Sequence, residues 1–310
     1  MGKAMAVGGF GAWGRGTCAC ASAFLLLLLL PNVPTARGHG YLATPRSRNF
    51  VASEDGLWWS SDPDVIAPAP EDCPQCLNRG GTLGLCGVVN GRDYENPKDM
   101  NGNDLEPQVQ GNFSEGQTIE IEFLLTAHHM GHVELKVCPD MDSLSQECFD
   151  AHPLSFKEDL YYGAPIDTSY PVRGHLAPND GSAETEVTDD VPESGGMPFR
   201  MRYALPSGVT CDHCLIQWHY ISGNSCEMFG YDTYAWPTKD WHKGDNFTTC
   251  PDPLPPDGAG QPEQFWNCAD VSISSDGSEP AEPSPTPMPT PEEPTPEPSE
   301  PSEPEQTPAP

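Results

Sequence analysis

From Gln117 onward the chain begins to alternate. Thr118-Ile119-Glu120-Ile121-Glu122-Phe123-Leu124-Leu125 places an apolar side chain at every second position and then becomes apolar throughout. That period predicts a strand with one face on a core. His132-Val133-Glu134-Leu135-Lys136-Val137-Cys138 alternates again. Only Thr126 to Gly131 separates the two runs, so they read as an antiparallel pair. Further strands are predicted at Phe199–Ala204, Cys214–Tyr220 and Ala269–Ile273. Few stretches have helical spacing. Spaced strands with long connections predict an all-β fold, an immunoglobulin/fibronectin III-like β-sandwich with long loops. Upstream, His39 to Asn49 is short, extended and interrupted by Pro45. Phe50 to Asp104 is rich in Gly, Pro, Asn and Asp and reads as a long loop region with small helical turns. An ordered loop of that length is usually functional. It carries Trp58 and Trp59, which either fill the core beneath it or stack on a sugar ring.

Both ends depart from this pattern. Lys3 and Arg15 precede an apolar run from Ala21 that ends in six leucines, and Ala36 and Gly38 are small residues before His39. Residues 1–38 are therefore expected to be a signal peptide cut before His39. The apolar run is too short to span a bilayer comfortably. Residues 276–310 are almost entirely Pro, Glu, Ser and Thr, and are expected to form a disordered, extended tail. The folded domain is then 39–275, in a secreted, extracellular protein.

Composition sharpens the partner. The formal net charge is −31, and the nine acids of the tail do not account for it. Such a surface repels nucleic acid and anionic membranes. Of the 12 cysteines, ten lie beyond the leader, which in a secreted chain predicts disulfides whose pairing the sequence leaves open. Cys73/Cys76 and Cys211/Cys214 have zinc-like spacing, but the two pairs lie far apart and the compartment is oxidising. Asn112-Phe113-Ser114 and Asn246-Phe247-Thr248 are glycosylation acceptor patterns.

The chemistry lies in the histidines. A terminal His39 would offer its α-amino group and its imidazole to one metal ion. Nitrogen donors in a tetragonal plane suit Cu(II). The one dense histidine cluster, His128-His129-Met130-Gly131-His132, sits on the link between the first two predicted strands. Strand alternation would turn His128 and His129 to opposite sides, so at most one of them should meet His39. A cluster like this taken alone is more often surface decoration or a weak zinc site.

Five segments in order resemble a known family. His39-Gly40-Tyr41 with Pro45, Ser47 and Arg48 looks like the opening of lytic polysaccharide monooxygenases. Thr126–His132, Cys211–Tyr220, Gly223-Asn224-Ser225 and Phe265–Val271 look like auxiliary-activity family fifteen of these enzymes, a chitin-binding type-4 domain. The resemblance implies one copper ion in a histidine brace made by His39 and His129, with Phe265 at the axial position and Gln217 as a polar neighbour. Tyr41, Trp58 and Trp59 are the candidate substrate-binding aromatics. The reaction implied is oxidative cleavage of a β-1,4-linked polysaccharide, chitin favoured over cellulose, by a monomer supplied by an external electron donor. A non-catalytic polysaccharide-binding protein of the same fold is the alternative, and a copper transport or storage protein a third. The segment from Cys226 to Gln264, with Tyr231, Tyr234, Trp236 and Trp241, departs from the family pattern. It either extends the binding face or covers it.

Overall fold

The computed structural model describes residues 39–55, 84–89, 92–99, 103–178, 196–238, 241 and 247–275. The leader, the tail, Trp58, Trp59, Cys73, Cys76 and Asn246 lie outside the described residues, as does the side chain of His39. The alternating runs are strands. In chain order the elements are β1 (His39–Thr44), α1 (Arg48–Asp55), β2 (Val88–Val89), β3 (Arg92–Asp93), β4 (Asn112–Ser114), β5 (Thr118–Ala127) and β6 (His132–Cys138). They continue with α2 (Gln146–Asp150), β7 (Ser155–Asp159), β8 (Gly174–His175), β9 (Met197–Ala204), β10 (Cys211–Ile221) and β11 (Gln264–Ser274).

Two sheets form. One has the order β1-β5-β9-β7, the other β4-β11-β10-β6-β8, and β2 pairs separately with β3. Ile119, Ile121, Phe123 and Leu125 of β5 face Val133, Leu135 and Val137 of β6 and Ile216, Trp218 and Tyr220 of β10 in one apolar core. This is the predicted β-sandwich. The polar positions of β5 are used across the strand pair: Glu120 binds Arg202 at 2.7 Å and Glu122 binds Arg200. Charge pairs opposite one another add to strand register. β5 and β6 belong to different sheets. The short link between them is therefore a crossover at one end of the sandwich, and not the hairpin that the spacing suggested.

A second apolar cluster lies on the outer face of the five-stranded sheet. Val51 and Ala52 of α1, Phe149 of α2 and Tyr94 pack there on Leu215 and Cys268. Disulfides Cys86–Cys268, Cys138–Cys148, Cys211–Cys214 and Cys226–Cys250 staple the loops. Cys211 and Cys214 are thereby bonded to each other rather than offered to zinc. Asn112, in the first acceptor pattern, is half-buried, and its Oδ1 accepts the Ser272 hydroxyl at 2.6 Å.

The chain between β10 and β11 covers the sheet with most of its described aromatic rings. Tyr231, Tyr234 and Trp241 are buried. Tyr234 stacks on His175 at 3.8 Å, and Trp236 meets the same ring edge-on. Beneath them His132 and His175 pair across β6 and β8. Farther along that face His219 stacks on Trp266 at 4.5 Å and bonds Gln264 at 3.0 Å.

These buried histidines make stability depend on pH. Burial, aided by nearby Lys136, lowers His219 to about 3. Burial, then the neighbouring His132, also lowers His175. Unfolded histidines titrate near 6.5. Below that pH the unfolded chain takes up protons that the folded chain refuses, so stability is full above about pH 6.5 and falls as pH drops. The melting temperature of metal-free protein should start to fall near pH 6.5, well above the carboxylate range. A flat profile down to about pH 4.5 would contradict it.

Candidate metal centre

The terminal strand is placed by three contacts. Gly40 lies so close to β5 that a Cβ there would sit 2.5 Å from Leu125 Cδ2 and 2.9 Å from the Leu124 carbonyl. The Leu42 amide crosses to the other sheet and donates to Asn267 Oδ1 at 3.0 Å. Just past β1, the Arg48 guanidinium binds both oxygens of Asp270 in β11, at 2.9 and 2.7 Å, and the carbonyls of Tyr94 and Glu95. A register shift at the start of β1 then sets the His39 backbone opposite Ala127. The first residue of the domain and the end of β5 are thus brought together.

Beyond Ala127 the chain turns sharply. Met130 has φ 57° and Gly131 φ 94°. A Cβ on Gly131 would lie 2.0 Å from the Ile221 carbonyl, so only glycine fits. The His129 amide donates to the Tyr220 hydroxyl at 2.9 Å, and its carbonyl accepts from the Gly223 amide at 2.9 Å. Gly131 O accepts from Leu176 N at 3.0 Å. The link is held on three sides.

This turn separates the three histidines. His128 points inward toward Phe199, with ring centroids 5.7 Å apart, and its Nδ1 accepts the Met130 amide at 2.9 Å. Burial lowers its pKa to about 4. His132 is fully buried, with Nδ1 2.5 Å from the Tyr231 hydroxyl. His128 is half-buried as a residue, but its Nε2 is sealed from solvent, whereas the His129 side chain is 15% exposed. Its Nε2 lies 3.9 Å from Glu263 Oε2.

Two sequence expectations need correction. Tyr41 was expected on the substrate face, but it is 1% exposed and packs on Phe50 at 4.8 Å. A ring sealed in the core cannot stack on a sugar. Gln217 was expected beside the metal, but it leaves β10 on the face opposite Tyr220, as an offset of three along a strand requires. Its amide donates to the Leu85 carbonyl at 2.8 Å and pairs with Gln146. Phe265 is fully buried and stacks on Tyr220, with centroids 5.4 Å apart and planes at 22°. It lies one ring behind the His129 backbone. Trp58 and Trp59 fall outside the described residues.

Three residues were missed. Tyr220 anchors His129, Asn267 anchors β1, and Glu263 sets a carboxylate beside the His129 ring. Parity along β10 could have revealed Tyr220, which shares the inward face with Trp218. Glu263 had no such signal, because only the meeting of the β11 start with the β5–β6 link brings it to His129.

The family model for "Lytic polysaccharide mono-oxygenase, cellulose-degrading" matches residues 39–271. The chain belongs to this family. Enzymes of this lytic polysaccharide mono-oxygenase family are in general copper-dependent. No curated protein matches the chain. Among solved structures, it is similar to a lytic polysaccharide monooxygenase AA15 from Thermobia domestica in the Cu(I) state. That likeness has 23% identity, covers 77% of this chain and 100% of that one, and has a TM-score of 0.43. It is also similar to a chitin-binding domain from Burkholderia pseudomallei, with 14% identity over 76% of this chain and 100% of that one and a TM-score of 0.34.

The donors at this end of the sandwich fit copper chemically. A half-open imidazole is a borderline nitrogen donor of the kind Cu(II) takes. Among the described residues, no three of His, Cys, Asp and Glu gather into a metal site.

Proposed function

We propose that this mono-oxygenase family member is a secreted copper enzyme that oxidatively cleaves an insoluble β-1,4-linked polysaccharide, with chitin favoured over cellulose. In this reading residues 1–38 are removed. His39, through its new α-amino group and its imidazole, then holds one copper ion together with His129. The observation that carries it is the sorting of the three clustered histidines. His132 is sealed, and His128 has its Nδ1 on the Met130 amide and its Nε2 buried, while His129, 15% exposed, stands at the strand end that faces the His39 backbone.

Bound copper would supply one-electron chemistry for dioxygen or peroxide to hydroxylate a carbon of the glycosidic bond, with the electrons coming from an external donor. The chain's own residues prepare the place. Tyr220 and Gly223 fix the His129 backbone from both sides, so its ring is aimed before any metal arrives. The Glu263 carboxylate adds negative charge next to the His129 ring, which favours a cation there. Phe265, sealed behind Tyr220, keeps water from the floor.

The test is mass spectrometry of products. Copper-loaded protein with ascorbate should release oxidised oligosaccharides from chitin or cellulose. Tight copper binding with no oxidised product from chitin, cellulose or xylan would favour a transport or storage role. Retention on the polysaccharide without copper affinity would favour a binding protein. N-terminal sequencing of secreted protein checks the terminal histidine directly, since a start one residue to either side removes its amino donor.

A further inference from the structure

The segment between β10 and β11 buries three of its large aromatic rings, yet it leaves Phe229 64% exposed. Phe229 lines a groove of about 390 Å³ between this segment and the β7–β8 loop. That volume falls within the roughly 300–1,000 Å³ typical of small-molecule sites. Tyr170 forms the opposite wall, and Asp232, Thr233, Ser169 and Glu227 complete the lining.

The groove is built. The Arg173 guanidinium stacks on the Tyr170 ring at 3.8 Å and donates to the Phe229 carbonyl at 2.8 Å, tying the walls together. Gly230, at φ 91°, lets the backbone pass where a Cβ would lie 2.2 Å from Tyr170. The Cys226–Cys250 disulfide, with backbone bonds from Glu227 to Thr248 and from Cys250 to Glu227, holds the floor. The Arg173 charge is not offered to a ligand, because it also faces Glu134 at 3.7 Å.

The lining specifies the occupant. It combines an exposed aromatic face with carboxylates and hydroxyls, and among the described lining residues no cation is presented. Carboxylates only accept hydrogen bonds, so the ligand must bring donors. On a chain of formal charge −31 it must also not be anionic. An apolar ring face with donors around its rim describes a sugar. We propose that this groove is a docking subsite for a β-linked oligosaccharide segment that carries hydroxyl or amino donors and no acid groups. Such a segment stacks on Phe229 and donates to Asp232 and its neighbours. The proposal rests on the polysaccharide reading above. It also goes beyond it, because the groove needs no metal. β10 ends, β11 begins and β8 pairs with His132 at the end of the sandwich that carries His129. A chain held in the groove therefore lies at the candidate metal centre's end of the molecule.

The test is titration of the metal-free full chain with cellohexaose, the hexamer of N-acetylglucosamine, the hexamer of glucosamine and a galacturonic acid hexamer, followed calorimetrically. At least one of the first three should bind, and the acidic hexamer should not. Phe229→Ala should weaken binding about tenfold or more, and Asp232→Asn should weaken it less. The copper affinity of both variants should match the wild type. Binding of the acidic hexamer as tight as the others, no binding by any hexamer, or wild-type binding by Phe229→Ala would each overturn the proposal. His129→Ala separates the two readings. Groove binding should persist in that variant after oxidised products have vanished. Oxidised products from a wild type that binds no hexamer would sink the groove and leave the enzyme standing.

Discussion

Replacing His129 with alanine should lower copper affinity by at least about 100-fold, more than the 10–100-fold usual for outer partners of a metal ligand, and should abolish oxidised products. The reason is the division of labour along the β5–β6 link. The backbone of His129 is already held by Tyr220 and Gly223. Those bonds use only main-chain groups of residue 129 and survive the substitution. The side chain is only partly buried, at 15% exposed. Stability should therefore change by less than about 1 kcal/mol. His132→Ala should behave in the reverse way. It leaves the buried Tyr231 hydroxyl without its partner at 2.5 Å, which costs roughly 1–3 kcal/mol, while copper affinity stays close to wild type. Titration calorimetry of both variants beside chemical melts checks the pattern. Full copper affinity in His129→Ala would remove the ligand assignment.

What the sequence made legible follows from which signals are local. Alternation at period two gave five strands, because a strand with one buried face must alternate wherever it runs. β1 was seen only as an extended piece. Its register comes from contacts far away in sequence, Gly40 on Leu125 and Leu42 on Asn267. The different fates of His128 and His129 could be anticipated from alternation alone. The burial of His132 followed from a segment roughly a hundred residues downstream folding back with Tyr231, a separation the structure gives as 99. Gln217 and Tyr41 were misplaced for one shared reason. A motif names residue types near a site, but parity and burial decide which side each one faces. The aromatic residues after Cys226 misled in the same way. Their composition resembles a binding face, while the structure spends three of them on covering His175 and its surroundings and exposes Phe229 instead.

Replacing Arg48 with methionine should destabilise the protein by about 3–5 kcal/mol, the range for removing one partner of a buried ion pair. Arg48 and Asp270 are sealed, with side-chain exposures of 4% and 2%. Burial alone would raise the Asp270 carboxyl, but hydrogen bonds from His213 and Arg48 outweigh it and hold it below the usual range. Without the guanidinium, that carboxylate keeps only His213, at 2.6 Å, and the carbonyls of Tyr94 and Glu95 lose their donor. Lysine should not rescue the loss. A point charge cannot reproduce two parallel bonds to Asp270 while also reaching two carbonyls. The consequence reaches the candidate metal centre through the backbone. Arg48 begins α1, only a few residues beyond β1, and ties that helix to β11, so loosening it releases one of the three contacts that place the terminal strand. Urea melts of Arg48→Met and Arg48→Lys measure the first effect. Copper affinity of Arg48→Met, measured where the variant is still folded, measures the second and should fall several-fold. A loss of stability under about 1 kcal/mol would mean that His213 alone satisfies Asp270, and that the terminal strand is held by Gly40 and Asn267 without help from Arg48.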